Sequence, residues 1–385
     1  LACSTDRENP GDTDTISITV KALGNLFDDS PSWKTYPGLL DTSFDDDGRK
    51  ILSLGNTNNS SYYDYIDKMI QLPNGKIIAA GAIDGRLSVM RFTSELQLDP
   101  TFGSGGSVST GVGSSGYWPG ITLEVDLEER LLLAGVGRIY RYLPNGALDT
   151  TFGNNGYASI GTRVYGTGLQ GDGRIIVATD NGIYRMDQNG QGSTRIINTG
   201  SRGVQVWEDG DILVVDTDFD VHRYTRDAIK EQSFETNFGA SNSILQLPDN
   251  RMLVIGHGDG DIVVSRHLAN GAVDTTFGST GRTILPVLEG NDVGYRGTLQ
   301  ADGKILISGL SHNGNNWDLS IVRLSHDGDL DTTFDNDGKL HLPFSGSEDF
   351  GYAVVSQPDG KIVIAGRTGN EIALVRLLGD YNMDT

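Results

Sequence analysis

The stretch Asp302-Gly303-Lys304-Ile305-Leu306-Ile307, followed by a lone arginine at Arg323 and then by Leu330-Asp331-Thr332-Thr333-Phe334, decides the fold of this chain. An Asp-Gly or Asn-Gly pair between two apolar runs marks a hairpin, because a two-residue turn there needs φ > 0 at both central positions. The same turn and run return as Pro73-Asn74-Gly75-Lys76-Ile77-Ile78, Asp172-Gly173-Arg174-Ile175-Ile176, Asp209-Gly210-Asp211-Ile212-Leu213, Asp249-Asn250-Arg251-Met252-Leu253 and Asp359-Gly360-Lys361-Ile362-Val363. With the degenerate copy Glu128-Glu129-Arg130-Leu131-Leu132 there are seven.

Each turn has an apolar strand before it, such as Met69-Ile70-Gln71-Leu72 or Val354-Val355-Ser356-Gln357. A third strand follows and carries one arginine: Arg91, Arg141, Arg185, Arg223, Arg266, Arg323 or Arg376. A fourth strand follows the Leu-Asp-Thr-Thr-Phe motif, seen at Leu40–Phe44, Leu98–Phe102, Leu148–Phe152, Val273–Phe277 and Leu330–Phe334. The third and fourth repeats lack that motif, and Phe234-Glu235-Thr236-Asn237-Phe238-Gly239 is an out-of-phase copy. No segment shows a helical period. Four short antiparallel strands recurring roughly every 40–57 residues predict an all-β fold, a seven-bladed β-propeller of four-stranded blades.

The two ends predict a closed ring. The chain runs out at Met383-Asp384-Thr385, an interrupted motif, and opens with a surplus motif and an orphan strand, Lys50-Ile51-Leu52-Ser53-Leu54. Residues 49–55 are therefore expected to pair with the strand around Arg376, which also removes an open sheet edge. Residues 1–38 read as an N-terminal tether and 39–385 as the propeller.

The pairing of Leu-Asp-Thr-Thr-Phe-Gly with Gln-x-Asp-Gly-Lys-Ile resembles the bacterial delta-60 repeat over about residues 39–385, and the strand pattern resembles NHL-type propellers. That resemblance implies a surface or secreted bacterial protein and carries over no catalytic residue.

Composition narrows the partners. Asp plus Glu number 51 against 30 Lys plus Arg, a net charge of −21, which disfavours nucleic acid and anionic lipid. No run of apolar residues is long enough for a membrane-spanning helix. The single cysteine, Cys3, makes neither an internal disulfide nor a Cys-based zinc site. Leu1-Ala2-Cys3-Ser4 resembles the end of a bacterial lipoprotein signal with Cys3 acylated, which places the protein, lipid-anchored, at a bacterial cell surface or outer membrane, with secretion as the alternative.

The third-strand arginine precedes the motif aspartate by eight residues in five repeats: Arg91/Asp99, Arg141/Asp149, Arg266/Asp274, Arg323/Asp331 and Arg376/Asp384. A constant offset across a strand end suggests a charge-assisted bond pinning the turn. The motif phenylalanines are expected between neighbouring blades.

Candidate binding residues are sought in the variable loops, since rigid scaffolds carry function on loops. Loops between blades bring Tyr62, Tyr63, Tyr65, Trp118, Tyr165, Tyr295, Phe350 and Tyr352; the loops between second and third strands bring Trp317, His257 and His312. Both sets are expected on one face, where amphipathic aromatics suit protein contact or sugar stacking. Gly166-Thr167-Gly168-Leu169-Gln170-Gly171 matches a dinucleotide fingerprint, but no helix follows it. No other catalytic motif occurs, and no cofactor is expected. Calcium is the one metal suggested, by Asp45 with Asp47, by Asp335 with Asp337, and more weakly by Asp216, Asp218 and Asp220, although a full twelve-residue loop is missing. The expected function is a non-catalytic cell-surface binding or scaffold protein, accessory to an outer-membrane protein complex. A glycan-binding module and a polysaccharide hydrolase or lyase are the alternatives.

Overall fold

A computed structural model of the protein describes residues 36–55, 62–113, 120–236, 239–344 and 347–380. Cys3, Trp118, Asp384 and all but the last three residues of the expected tether lie outside them.

Among the described residues, strands form seven four-stranded antiparallel sheets, each joined in simple order from first strand to fourth. The first strands are Tyr65–Gln71, Thr122–Val125, Val164–Leu169, Ser201–Val206, Ala240–Gln246, Asp292–Leu299 and Asp349–Ser356, and residues from all seven line one axial cavity. The protein is a seven-bladed propeller. The second strands, Ile77–Ile83 and Ile362–Thr368 among them, are buried along their whole length. Both faces of a blade pack on neighbours, so these strands read as continuous apolar runs rather than alternating ones.

The hydrophobic cores sit between blades. Met69, Ile77, Ala79, Met90 and Phe92 of the first blade pack against Ala353, Val363, Ala365 and Leu374 of the last. Equivalent clusters fill the other interfaces. The ring closes as expected: Arg49–Leu52 pairs antiparallel with Glu371–Leu377, with Arg49 opposite Val375 and Leu52 opposite Ile372.

The hairpin turns differ from the expected two-residue form. Only Gly75 has positive φ in Leu72-Pro73-Asn74-Gly75-Lys76; its N–H bonds the Leu72 carbonyl, and the Leu72 N–H bonds that of Lys76. This is a longer loop with one left-handed position, and the preceding Asn74 carboxamide accepts the Lys76 N–H at 3.0 Å. Where glycine is missing, Asn250 and Glu129 take the left-handed position at φ 63° and 57°.

Each motif arginine makes a latch. Nε donates to the motif aspartate at 2.8 Å for Arg91–Asp99, 2.7 Å for Arg141–Asp149 and 2.7 Å for Arg266–Asp274, and Arg323 forms an ion pair with Asp331 at 2.9 Å. The guanidinium also lies 4.7–4.9 Å over the motif ring in Phe102, Phe152, Phe277 and Phe334. Its far nitrogen reaches into the next blade, from Arg141 to the Gln188 carbonyl at 2.6 Å and from Arg266 to that of His326 at 2.5 Å. The other carboxylate oxygen takes the Thr hydroxyl two residues on, at 2.6 Å in Asp99–Thr101. In the fourth blade, which lacks the motif, Arg223 pairs with Asp211 and stacks at 4.5 Å on Trp207.

Asp384, the expected partner of Arg376, lies outside the described residues. Arg376 Nε donates to Asp41 at 2.7 Å and its guanidinium covers Phe44 at 5.0 Å. The surplus motif at the chain's start thus serves the last blade, across 335 residues.

Burial raises the pKa of these aspartates, but the Ser or Thr hydroxyl and amide, with the cations, outweigh it. Asp41, Asp99, Asp149, Asp274 and Asp331 are all held below the usual range. A depressed carboxyl stabilises the fold fully above its unfolded pKa of about 3.9 and loses that contribution as pH falls through the folded value. Urea titrations from about pH 5 down to pH 2 will show stability falling with acid; a flat profile contradicts the latch. At neutral pH, Asp41→Asn will cost about 3–5 kcal/mol, because it leaves Arg376 buried without its partner. Asp45→Asn, at the surface beside Lys50, will stay within about 0.5 kcal/mol. Equal effects of the two would contradict closure by Asp41.

Candidate functional site

The innermost strands do not run straight. Six of the seven carry a β-bulge at the same level: at Asp67, Tyr165, Arg202, Asn242, Tyr295 and Tyr352. A bulge inserts one residue, bends the strand and re-aims a side chain. All six, with Ile121 from the second blade, line an axial cavity of about 690 Å³. The expected placement of Tyr65, Tyr165, Tyr295, Phe350 and Tyr352 in loops is therefore corrected: they belong to the innermost strands.

The bulge has a sequence signature that periodicity missed. Gly81, Gly256, Gly309 and Gly366 sit on second strands opposite the bulges, and a Cβ there would lie 1.7–2.0 Å from the carbonyl oxygens of Tyr65, Ala240, Val293 and Phe350. Only glycine lets the bulged backbone approach this closely.

The cavity wall is polar and aromatic. Tyr352 packs edge-on against Tyr295 at 5.2 Å and Tyr65 at 5.9 Å, and stacks on Phe350 at 5.5 Å. Arg202 lies over Tyr165 at 5.6 Å and Phe219 at 6.0 Å. Arg296 donates to the Asn242 carbonyl at 3.4 Å, and the Asn242 amide to the Gly294 carbonyl at 2.9 Å. Lys68 and Glu124 form an ion pair at 3.0 Å. Lys68, Arg202 and Arg296 thus face Asp67 and Glu124, a cationic excess of one in a chain of net charge −21.

Asp67 is the unusual member. It is 3% exposed. Its carboxyl accepts the N–H groups of Ile121 and Gly120, while Oδ2 has no hydrogen-bond partner. Burial raises its pKa; Arg296 and Lys68 oppose this without reversing it.

Of the other candidates, Trp317 packs with Tyr65, Tyr295, Phe350 and Tyr352 in one apolar cluster, and Arg367 joins Tyr63 to it by lying 4.1 Å over Phe350. Tyr62 is 45% exposed, Tyr63 lies 4.6 Å under Arg367, and Trp317 meets His312 edge-on at 5.1 Å. The suggested calcium aspartates bind their own turns: Asp47 takes the Arg49 N–H at 2.9 Å, Asp337 that of Lys339 at 2.8 Å, and Asp45 pairs with Lys50. Asp335 has its pKa raised by burial and by Asp337. Among the described residues no group of three or more His, Cys, Asp or Glu is placed to hold a metal. Asp216 accepts the N–H groups of Asp218 and Asp220, and His222 bridges Asp216 at 2.7 Å and Ser233 at 3.0 Å. That Asp-His-Ser row ties the fourth blade's outer strands together, and neither His222 nor Ser233 lines the axial cavity.

The aspartate makes a prediction. A buried carboxyl with a raised pKa costs the fold stability as pH climbs above about 3.9, the unfolded value. Asp67→Asn keeps an oxygen for the two N–H groups and removes the charge. It will raise unfolding free energy by about 1–3 kcal/mol at neutral pH, and the gain will vanish in acid. A loss of stability that is the same at both pH values would contradict this account of Asp67.

Comparison with known proteins agrees with this architecture. The family described as domain of unknown function (DUF5122) beta-propeller matches residues 72–102, 131–152, 247–277, 300–334 and 357–385. The third and fourth blades, which lack the Leu-Asp-Thr motif, fall outside those segments. No curated protein matches the chain. Among solved structures, a catalytically inactive virginiamycin B lyase from Staphylococcus aureus with quinupristin is similar at TM-score 0.56 and 15% identity, over 86% of this chain and 99% of that one. The Cps50 (Swd1) beta-propeller domain from Myceliophteria thermophila gives TM-score 0.56 and 13% identity, over 85% and 98%. The extracellular domain of a putative hybrid two component system from B. thetaiotaomicron gives TM-score 0.52 and 13% identity, over 85% of this chain and 40% of that one. These likenesses show the fold alone. The chain is a seven-bladed β-propeller, and five of its seven blades match the family described as DUF5122 beta-propeller.

Proposed function

We propose that this protein is a non-catalytic binding and scaffold protein of a bacterial cell surface, accessory to an outer-membrane complex, and that it takes its ligand in the axial cavity. One observation carries the reading: six of the seven packed blades aim a ring of bulge residues, four of them Tyr or Arg, at one axial cavity. Fixed backbone with amphipathic and charged side chains suits recognition more than turnover. The Leu1-Ala2-Cys3 segment supports a lipid anchor, and the acidic surface supports a partner other than nucleic acid. The second reading, a glycan-binding module, is favoured by Tyr165, Tyr295 and Tyr352 on the wall.

Glycan and envelope-protein panels should be screened with the wild type and with Tyr295→Ala. The wild type is expected to retain a ligand, and Tyr295→Ala to weaken it by about tenfold or more, since a large aromatic contact is lost. The ligand should be recovered unchanged after incubation with stoichiometric protein. Conversion of the ligand, or equal binding by Tyr295→Ala, would overturn the reading. Mass spectrometry of the protein from its native envelope should find Cys3 acylated; an unmodified Cys3 would remove the anchor.

A further inference from the structure

We propose that the axial cavity recognises an acidic saccharide, a sugar unit bearing a carboxylate, with Arg296 and Arg202 serving the carboxylate, the tyrosines serving the ring and Asp67 accepting a hydroxyl. The inference rests on the reading of the axial cavity as the ligand site and names the ligand's class.

Three independent features of the wall require three things of the ligand. The first is a hydrogen-bond donor. Asp67 is 3% exposed, lines the cavity, and has one carboxyl oxygen without a partner, although a buried acceptor ordinarily finds one. Two backbone N–H groups from the second blade fix the carboxyl, so its orphan oxygen is pre-positioned for a ligand. A ligand hydroxyl satisfies it.

The second is negative charge. Neither Arg202 nor Arg296 has a carboxylate within salt-bridge distance among the described residues, whereas Lys68 is neutralised by Glu124. Arg296 feels Asp67 electrostatically without forming that contact. Elsewhere on this ring the motif arginines are paired with aspartates. Arginine presents a planar fork that fits a carboxylate. In a chain of net charge −21, simple anions are repelled from a distance, so the arginines act at contact range on a ligand held by other forces as well.

The third is a flat, partly apolar body. Tyr165, Tyr295 and Tyr352 come from three different blades and line the cavity, Tyr352 largely buried against Phe350, and a tyrosine ring combines an apolar face with a polar edge. A pyranose ring has an apolar face and a rim of hydroxyls. A carboxylated pyranose combines all three requirements in one unit. A simple phosphate meets only the charge, and a neutral sugar leaves the arginines unused.

Titration calorimetry of the full protein with tri-galacturonate, with its carboxyl-reduced neutral counterpart and with inorganic phosphate tests this. Tri-galacturonate is expected to bind, with the reduced sugar about tenfold weaker or worse, and phosphate unable to displace it. Asp67→Asn and Arg296→Ala should each weaken binding by about tenfold, and binding should weaken as salt rises. Arg202→Ala, at an exposed position, provides a variant that leaves blade packing intact, with the same expected loss. Melting curves establish that each variant is folded. Equal binding of acidic and reduced sugar, displacement by phosphate, variants that bind like the wild type, or no binding up to about 10 mM would each overturn the proposal. If another ligand from the panels still depends on Tyr295, the axial cavity remains the binding site and only the saccharide class falls.

Discussion

One contact ties the two ends of the chain together, and the ring depends on it. Arg376 and Asp41 lie 335 residues apart in sequence and 2.7 Å apart in space. The comparable latches pair residues only eight apart, so they form within a repeat once its turn is made. Loop-closure entropy weighs on the long-range contact far more than on the local ones. What offsets it is the shared packing around it: Phe44 fully buried under the guanidinium, the strand Arg49–Leu52 completing the last sheet, and the apolar cluster that spans the last and first blades. Remove that closure and the last blade has an open edge, and the axial cavity loses the seam between its first and seventh blades.

The molecule separates rigidity from recognition along each blade. The outer part is held by the latch, in which one guanidinium satisfies a carboxylate, covers a phenylalanine and grips a carbonyl of the next blade. The inner edge departs from ladder geometry at the bulges, and there the side chains vary from Asp to Tyr, Arg and Asn. The orphan oxygen of Asp67, one of several buried side-chain atoms without a hydrogen-bond partner, belongs to a residue that lies where seven blades converge. Departures from regular geometry within a rigid surround are where binding chemistry is commonly housed.

The architecture was legible because the repeat punctuates itself. Gly303, Arg323 and Asp331 mark a turn, a third strand and a motif, and their recurrence alone counts the blades. The closing strand was legible from the orphan run at Lys50. The bond from Arg376 to Asp41 was not legible, because the eight-residue offset that holds in four other blades points to Asp384, outside the described residues, and not to a motif at the other end of the chain. The stacking of arginine on the motif phenylalanine was invisible, since sequence spacing does not reveal which faces meet. The cavity ring was missed for a different reason. A bulge breaks the two-residue alternation, so Tyr165, Tyr295 and Tyr352 looked like loop residues. The compensating signal was present in Gly81, Gly256, Gly309 and Gly366, each six residues beyond the left-handed turn position of its hairpin.

Amide hydrogen exchange across the closing sheet tests the ring most directly. The account predicts that amides of Glu371–Leu377 bonded to Arg49–Leu52 are protected as strongly as those in the middle of Ile305–His312, and that both are released in one global opening. Rapid exchange at Arg49–Leu52 and along the outer edge of Glu371–Leu377, with the other six blades still protected, would show that the ends do not meet.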